Sequence, residues 1–362
     1  MAPSITDTQF VVPPPSTPIP REPLKPTDLL SSYPSFDVTP IIGREFTNAN
    51  LKDWLRAPNS DDLLRDLAIT ISRRGVVFFR HQNDLTNDLQ KELIQRLGQL
   101  TGKPPTSGLH IHPVINSGRE HGNADDEISV ISSREREKLY KRYDKKQSQR
   151  KEWHSDITFE PVPSDYTVLR LTELPVTGGG RLDGLIDTLW ASGYELYDRI
   201  SEPYQKFLEG LTATYAQPGF NEVAKNNGFE VFTGPRGAPE NVGEKLEAIH
   251  PVIRTNPVTG WKSVFAVGHH VQKINGLAEE ESRHLLDWFV KLIVENHDLQ
   301  VRFRWQSPND LAIWDNRSVY HAATVDYAGL GSRTGQRAVG LGERPYLDPN
   351  STGRREALAK ED

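Results

Sequence analysis

The sequence predicts a mainly β domain with covering helices, whose strands form a double-stranded β-helix, the core of a jelly roll. Two observations lead to this prediction. Short stretches with strand patterning recur along the chain between turn signals, and only a few segments have the periodicity of an amphipathic helix. The chain has no internal repeat, and its 362 residues can form one large domain. We therefore expect a single domain over residues 41–350.

Two polar segments flank the predicted domain. Residues 1–40 contain ten of the 26 prolines, which remove backbone donors and favour extended conformations. This segment is predicted to be an arm without its own core, either disordered or lying along the domain surface. Residues 351–362 are predicted to form a polar C-terminal tail.

The first part of the domain is predicted to contain two helices around one buried strand. Apolar residues recur at helical spacing over 63–71, and this helix is expected to end at Gly75. The apolar run 76–79 predicts a short buried strand. A second amphipathic helix is predicted over 89–100, because its leucine and isoleucine side chains form one stripe.

The second part alternates between strands and helices. Alternating residues predict a strand over 166–172, and residues 191–211 have the pattern of a helix, with a helix start at Glu202-Pro203. Two short strands around a turn at 256–257 are predicted to pair as a hairpin. Apolar spacing over 285–293 predicts an amphipathic helix. The last predicted strands are 301–306, 311–314 and 337–341.

A charged segment lies between these two parts. Residues 134–152 have nine basic and four acidic side chains and almost no apolar pattern, which is typical of a solvated, mobile loop. Because this segment directly precedes Trp153, at the start of a candidate metal-binding stretch, we predict that it is a lid.

Composition excludes several classes of function. The 43 basic and 49 acidic side chains give a net charge of −6, which offers no electrostatic footprint for nucleic acid or an anionic membrane. No apolar run is long enough to span a bilayer, and the first residues do not resemble a signal peptide. The chain has no cysteine, so any metal site must use nitrogen and oxygen ligands. We expect a cytoplasmic protein.

The stretch His154-Ser155-Asp156 is a candidate metal site. A histidine and a carboxylate two residues apart on an extended segment point to the same face, so both can bind one ion. His321 would complete the two-histidine, one-carboxylate set that binds Fe(II) in non-haem oxygenases and leaves coordination positions open. By itself the His-x-Asp triplet is a weak signal, because many such triplets lie in surface loops.

A set of motifs in a fixed order covers most of the chain, from about residue 75 to residue 346. The motifs are 109–113, 153–156, 187–190, 250–255, 305–306, 312–317 and 333–337. Jointly they resemble the taurine dioxygenase family of Fe(II)- and 2-oxoglutarate-dependent oxygenases. The resemblance implies that His154, Asp156 and His321 are the iron ligands and that 2-oxoglutarate and O2 are the cosubstrates.

The resemblance also implies which residues bind 2-oxoglutarate. Arg333 lies twelve residues after His321, where the family has its cosubstrate arginine. A guanidinium binds a carboxylate with two parallel hydrogen bonds. Thr188 matches the family's hydroxyl partner for the same carboxylate. Residues 180–186 are an insertion before Thr188, and this insertion is either absorbed by a loop or shifts Thr188.

Five residues are candidates for binding the substrate. His112 and Arg337 match the family's residues for an anionic head group. Ile115, His270 and Arg150 stand where taurine-binding members have a tyrosine, a phenylalanine and an asparagine, so taurine itself is not the expected substrate. We expect that replacing Arg337 raises the substrate KM and leaves substrate-free turnover of 2-oxoglutarate nearly unchanged.

The predicted function is an Fe(II)- and 2-oxoglutarate-dependent dioxygenase that oxidises a C–H bond of a small anionic substrate, such as an alkylsulfonate. Oxidation of an amino acid or another carboxylate metabolite, by hydroxylation, desaturation or cyclisation, stays open. A hydrolytic metalloenzyme and a non-catalytic metal-binding protein are the alternatives from other classes. A hydrolase would not need Arg333, and a degenerate binder would be expected to have lost a metal ligand. Neither nucleic acid nor a membrane is an expected partner, and a homo-oligomer stays open.

Overall fold

The structure is a computed structural model that describes residues 21–116, 125–140, 148, 150–175, 187–324 and 331–361. Strands and helices alternate along these residues. The strands are β1 (Ser35–Asp37), β2 (Arg44–Phe46), β3 (Val76–Phe79), β4 (Ser129–Ser132), β5 (Ser164–Glu173), β6 (Asp187–Ser192), β7 (Thr212–Ala216), β8 (Glu247–Pro251), β9 (Ile253–Thr255), β10 (Lys262–Val264), β11 (Val271–Ile274), β12 (Gln300–Arg304), β13 (Leu311–Asp315), β14 (Val319–Ala323) and β15 (Thr334–Leu341). The α-helices are α1 (Leu51–Arg56), α2 (Ser60–Arg74), α3 (Asn87–Leu100), α4 (Ser133–Tyr140), α5 (Gly193–Asp198), α6 (Glu202–Glu209), α7 (Pro218–Asn226), α8 (Glu279–Glu295) and α9 (Arg354–Leu358). Short 3-10 helices lie at Leu29–Ser32, Arg150–Glu152 and His297–Leu299.

Two sheets position the candidate site. The larger has seven strands in the order β1-β2-β3-β13-β5-β15-β4, and the smaller has the order β12-β6-β14. Strand β2 runs parallel to β3, and every other neighbouring pair in these two sheets is antiparallel. Two further small sheets have the orders β11-β7-β8 and β10-β9.

Strand β3 shows how the layers are arranged. Its four residues are fully buried, and successive side chains of a strand point to opposite faces. Val77 and Phe79 join a core cluster with residues of α1, α2 and α3, whereas Val76 and Phe78 join one with residues of β6 and β12. The larger sheet therefore has helices on one face and the smaller sheet on the other. A sheet buried on both faces explains the continuous apolar run of β3.

Most of the helices and strands that local signals predicted are present in the structure. Helix α2 ends at Gly75, which has φ 76°, and an added Cβ there would lie 2.6 Å from a methyl carbon of Val319. The predicted helices at 89–100 and 285–293 are confirmed as α3 and the longer α8. The predicted hairpin is confirmed as the antiparallel pair β9–β10.

Two predictions are wrong. The segment 191–211 is not one helix, because it contains the end of β6 and the separate helices α5 and α6. Ser201 occupies the N-cap position of α6, and the helix start predicted at Glu202-Pro203 is confirmed. The charged segment 134–152 is not a loop throughout. It contains most of α4 and a 3-10 helix, while 141–147 and 149 lie outside the described residues.

Both ends of the described chain pack onto the domain. Thr27 donates its backbone N–H and its hydroxyl to Asp66 of α2, and β1 forms one edge of the larger sheet. In the C-terminal segment, the backbone N–H of Arg355 donates to Asp198 at 2.9 Å. No helix among the described residues is both long enough and apolar enough to cross a membrane.

Candidate metal centre and its cavity

His154 and His321 are brought together by backbone pairing. The N–H of His154 donates to the carbonyl of His321 at 3.1 Å, and the reciprocal bond is 2.8 Å. His321 lies in β14, which β6 holds in register. The Nδ1 of His154 is 2.7 Å from the carbonyl of Glu152 and must donate to it, because a carbonyl can only accept. The Nε2 of His154 is therefore the nitrogen with a lone pair for a metal.

Asp156 is positioned by Asn316. Its backbone N–H donates to the Oδ1 of Asn316 at 2.9 Å, and the amide nitrogen of Asn316 donates to the hydroxyls of Ser164 and Thr167. Asn316 follows β13 directly, so these bonds connect the end of β13 to the start of β5. Asn316 is 1% exposed, and the connection therefore lies inside the protein. Ile157, directly after Asp156, has φ 48°, which is rare for a β-branched residue and turns the chain away.

The three side chains fit a divalent metal ion. Each of His154, Asp156 and His321 offers one ligand atom, and these atoms all lie within 4.8 Å of one another. The Oδ2 of Asp156 and the Nδ1 of His321 are buried and have no hydrogen-bond partner in the part of the chain that the structure describes. Buried polar atoms normally have a partner, so these two atoms indicate a missing ligand. One carboxylate with two imidazoles is the donor set that suits Fe(II).

The charge states of the three side chains also suit a metal. Burial lowers the pKa of both His154 and His321 to about 4, so both imidazoles are neutral near pH 7. Burial acts to raise the pKa of Asp156, but Arg337, His321 and His154 outweigh it and lower this pKa to about 2. Metal ligands must be deprotonated, and all three side chains meet that requirement before any metal binds.

Arg337 contacts the metal-binding carboxylate. Its Nη1 donates to the Oδ1 of Asp156 at 2.8 Å, and the Arg337 side chain is only 14% exposed. The sequence alone predicted Arg337 as a substrate anchor. In the structure its guanidinium bonds to Asp156 and both residues line the cavity, so Arg337 can orient the carboxylate as well as meet an anion.

Thr188 and Arg333 line the same cavity as the three candidate ligands. This cavity has a volume of about 340 Å³. Arg333 is 5% exposed, and its backbone N–H and carbonyl both bond to Ser133, at 3.1 Å and 3.0 Å. The indole N–H of Trp305 donates to the Thr188 hydroxyl at 3.0 Å. Because that bond uses a lone pair of Oγ1, the Thr188 hydroxyl can still donate its own proton to a carboxylate.

One side of the cavity is formed by His112, Phe220, Phe159 and His270, which we call the substrate wall. All four line the cavity, and Ile115 lies beside them in an apolar cluster with Phe220. The Nδ1 of His112 accepts the backbone N–H groups of residues 114 and 115, each at 3.0 Å. His112 is therefore neutral, with its proton on Nε2. Burial lowers the pKa of His270 well below its usual range.

The structure does not bring Arg150 to the cavity. Its guanidinium lies 2.9 Å from the carboxylate of Asp287 on α8, and the Arg150 side chain is 42% exposed. The predicted role in substrate binding came from its position in the sequence just before His154. A long side chain at a surface turn can instead reach a neighbouring helix, and here it does. The insertion at 180–186 lies outside the described residues.

Sequence reasoning assigned no role to several residues that shape the site. Trp305 was only part of a motif, and Thr158, Phe159 and Phe220 were not considered. Phe159 lies three residues after Asp156, and its proximity to the candidate ligand was the one available signal. Phe220 lies in α7, in a region whose polar, glycine-containing sequence gave no pattern. Its place in the wall comes from the tertiary structure.

Comparison with known protein families decides the class of this centre. The family model described as taurine catabolism dioxygenase TauD, TfdA family, matches residues 34–339. The chain belongs to this family. Its enzymes use Fe(II), 2-oxoglutarate and O2, and the three candidate ligands converge in this chain. The protein is therefore an Fe(II)- and 2-oxoglutarate-dependent dioxygenase, and the hydrolytic and non-catalytic alternatives fall away.

Curated relatives agree with this class and extend over nearly the whole chain. The alpha-ketoglutarate-dependent dioxygenase btcD of Neocamarosporium betae is 59% identical over 344 residues, covering 93% of this chain and 98% of its own. The alpha-ketoglutarate-dependent dioxygenase oryG of Aspergillus oryzae is 50% identical and covers 93% and 96%. The alpha-ketoglutarate-dependent sulfonate dioxygenase of Saccharomyces cerevisiae is 31% identical and covers 86% and 67%.

Solved structures show a similar fold. A taurine dioxygenase from Burkholderia xenovorans superimposes with a TM-score of 0.63 at 22% identity, covering 88% of this chain and 94% of that chain. The structure of AAD-2 in complex with Mn(II) and N-oxalylglycine has a TM-score of 0.57 at 17% identity and covers 87% and 100%. The sheet-rich architecture with outer helices is therefore that of taurine dioxygenases.

Proposed function

We propose that His154, Asp156 and His321 hold Fe(II), that Arg333 and Thr188 bind the distal carboxylate of 2-oxoglutarate, and that the substrate is a small anion. The observation that carries this proposal is convergence. Three potential ligands, a buried arginine and a hydroxyl come from four separate segments of the chain and line one cavity. Bound Fe(II) would allow O2 to oxidise a substrate C–H bond, with 2-oxoglutarate supplying two of the four electrons that O2 takes up and leaving as succinate and CO2.

The residues of the chain bind and orient the reactants in this proposal. Arg333 is buried and its backbone is fixed by Ser133, so its planar guanidinium can meet a carboxylate with two hydrogen bonds. Thr188 adds a hydroxyl donor whose direction is set by Trp305. The aromatic substrate wall excludes water and leaves the substrate C–H bond as the group exposed to the oxidant.

An anionic substrate is supported by the charges around the cavity. Arg337 is partly buried beside Asp156, and the proton on Nε2 of His112 makes that imidazole a donor. The backbone N–H of His110 donates to Val339, so the segment carrying His112 runs next to the strand carrying Arg337. Among relatives, the names sulfonate dioxygenase and sulfate ester dioxygenase denote anionic substrates. A carboxylate head group fits the same two donors.

The finer fold assignment belongs to the same proposal. We infer that the larger sheet and the β12-β6-β14 sheet together form the jelly-roll core of one domain over 41–350, with 1–40 as an arm. The support is the shared core between the two sheets, in which Phe78 and Phe303 stack at 4.1 Å. A candidate metal centre at one end of such a core draws its ligands from strand ends and the adjoining loops.

An anaerobic titration tests the proposal. Adding Fe(II) and then 2-oxoglutarate to the protein without O2 should produce the visible charge-transfer band of the chelate, and admitting O2 with a substrate should produce succinate. His321→Ala should remove the band, whereas replacement of the exposed His284 of α8 should leave it intact. A normal band in His321→Ala would exclude His321 as a ligand.

A further inference from the structure

The substrate wall contains a histidine that faces the cavity. His270 follows β10 in a turn, is 5% exposed, and lines the cavity next to the candidate metal ligands. Its ring meets Phe159 edge-on, with centroids 5.2 Å apart, and lies 5.9 Å from the ring of His154. Taurine-binding members of the family have a phenylalanine at this position, so here a polar ring replaces an apolar one.

Thr158 fixes the orientation of this ring. Its hydroxyl and the Nδ1 of His270 are 2.9 Å apart, and Thr158 is 1% exposed behind the wall. Among the residues that the structure describes, the only side-chain hydrogen bond of the His270 ring is the one at Nδ1, and the ring lines the cavity. If Thr158 donates to Nδ1, then Nε2 carries the proton. If Thr158 accepts from Nδ1, then Nε2 has the lone pair. In both cases a polar atom faces the cavity.

Two phenyl rings separate His270 from the other imidazole of the wall. His112 lies 4.9 Å from Phe220, and Phe220 lies 5.7 Å from Phe159, which in turn contacts His270. The wall therefore has a polar group at each end and an apolar middle. At the His112 end, Arg337 adds a positive charge, and the segment carrying His112 runs beside its strand.

We infer that the substrate has two polar ends. An anionic head group would bind at Arg337 and His112, an apolar spacer of several carbons would lie on Phe220 and Phe159, and a hydroxyl or second carboxylate would bond to His270. This inference rests on the proposed function and makes it more specific.

The proposed specificity depends on the hydrogen bond between the Nε2 of His270 and an oxygen of the substrate. A site built to hydrogen-bond a substrate oxygen rejects an analogue without it, because the buried protein group is then desolvated and unpaired. A phenylalanine would offer no hydrogen bond to such an oxygen and so would not favour the bifunctional substrate. His270 thus favours a substrate with a second oxygen group, and Thr158 acts as a positioning residue that holds the imidazole.

Matched pairs of straight-chain acids test this inference. The probes are alkanoates and alkanesulfonates, α,ω-dicarboxylates, and ω-hydroxyalkanoates, in series of increasing chain length. Binding is read from the perturbation that each probe causes in the anaerobic Fe(II)–2-oxoglutarate absorption band, and turnover from succinate release. We expect the wild-type enzyme to prefer one of the two bifunctional series by about 10- to 100-fold in kcat/KM. The hydroxyl and carboxyl series then identify the second group.

Variants separate the role of His270 from a general loss of structure. His270→Phe should abolish the preference for the bifunctional series and retain binding of the monofunctional acids. His270→Gln should keep part of the preference, because an amide is also polar. Thr158→Val should weaken the preference, and Thr158→Ser should restore it. His284→Phe, which adds the same ring on the exposed face of α8, is the matched control and should behave as wild type.

The outcomes are distinguishable from failure of the proposed function. Without any absorption band in the wild type, the metal and cosubstrate assignments are wrong. A normal band, together with bifunctional probes that bind no better than monofunctional ones or not at all, overturns only the present inference. An unchanged preference in His270→Phe also overturns it.

Discussion

The metal-binding face of the cavity and the substrate wall differ in how their residues are held. His321 lies within β14, and Asp156 is held by Asn316, whose side chain makes hydrogen bonds to several strands and loops at once. In the substrate wall, His112 and His270 lie in segments between strands, and Phe220 comes from α7. His154 and Asp156 lie outside the strands but are tied to them by hydrogen bonds to His321 and Asn316, whereas the wall residues lie on loops and a helix, which tolerate change.

This difference predicts that variants of the metal face affect every substrate, whereas variants of the wall affect the choice among substrates. The predictions below test that division, from the largest expected effect to the smallest.

Removal of any candidate iron ligand should have the largest effect. His154→Ala, Asp156→Ala and His321→Ala should each abolish turnover while the protein stays folded, because a missing ligand opens an unintended coordination position. Succinate release, bound iron and the circular dichroism melting temperature are the measurements. Asp84→Ala, a surface carboxylate, is the control. If a variant keeps normal iron content and normal succinate release, the residue that was replaced is not an iron ligand.

Loss of the cosubstrate arginine should come next. Arg333→Leu leaves a carboxylate of 2-oxoglutarate in a closed site without its charged partner, which costs about 2–5 kcal/mol of binding free energy. Arg333→Lys should also be impaired, because an ammonium cannot reproduce the two parallel bonds. The affinity for 2-oxoglutarate is measured by titration of the anaerobic absorption band, with the exposed Arg283→Leu as control. Unchanged affinity in Arg333→Leu would mean that another residue binds this carboxylate.

Arg337 should have a smaller effect that spans both regions. The sequence alone predicts that Arg337→Ala changes only the substrate KM. Because Arg337 donates to Asp156 at 2.8 Å, we expect Arg337→Ala also to reduce iron affinity or substrate-free turnover by about 10- to 100-fold. Iron affinity and substrate-free succinate release should be measured together, and Arg337→Lys should lose less of both. If Arg337→Ala changes only the substrate KM, Arg337 acts in substrate binding and not in orienting Asp156.

The smallest effect is expected for Trp305→Phe. This change keeps an aromatic ring, which packs 5.0 Å from Phe303, and removes the N–H that donates to Thr188. One hydrogen bond is worth roughly 0.5–1.5 kcal/mol, so 2-oxoglutarate affinity should fall about three- to tenfold. Calorimetric titration of N-oxalylglycine in the presence of Mn(II) measures this without turnover. Trp288→Phe on α8 serves as the control. Equal affinities would show that Thr188 needs no partner.

The sequence by itself determined the elements that depend on local pattern. The apolar run of β3 and the stripes of α3 and α8 follow from burial along one strand or one helix face, which the order of residues specifies directly. The His-x-Asp spacing likewise predicted that His154 and Asp156 would lie together, with His321 as the candidate third ligand. Resemblance to a family added Arg333, which is distant from them in the chain.

Only the tertiary structure decided what each side chain contacts across the fold. Arg150 lies just before the motif 153–156, and Arg337 ends the motif 333–337. In the structure Arg150 binds Asp287 on the surface, whereas Arg337 binds the buried Asp156. The bond from Thr158 to His270 joins residues 112 positions apart in the sequence. Such contacts depend on how strands and helices pack against one another. The spacing of two residues along the chain therefore does not reveal whether their side chains are in contact.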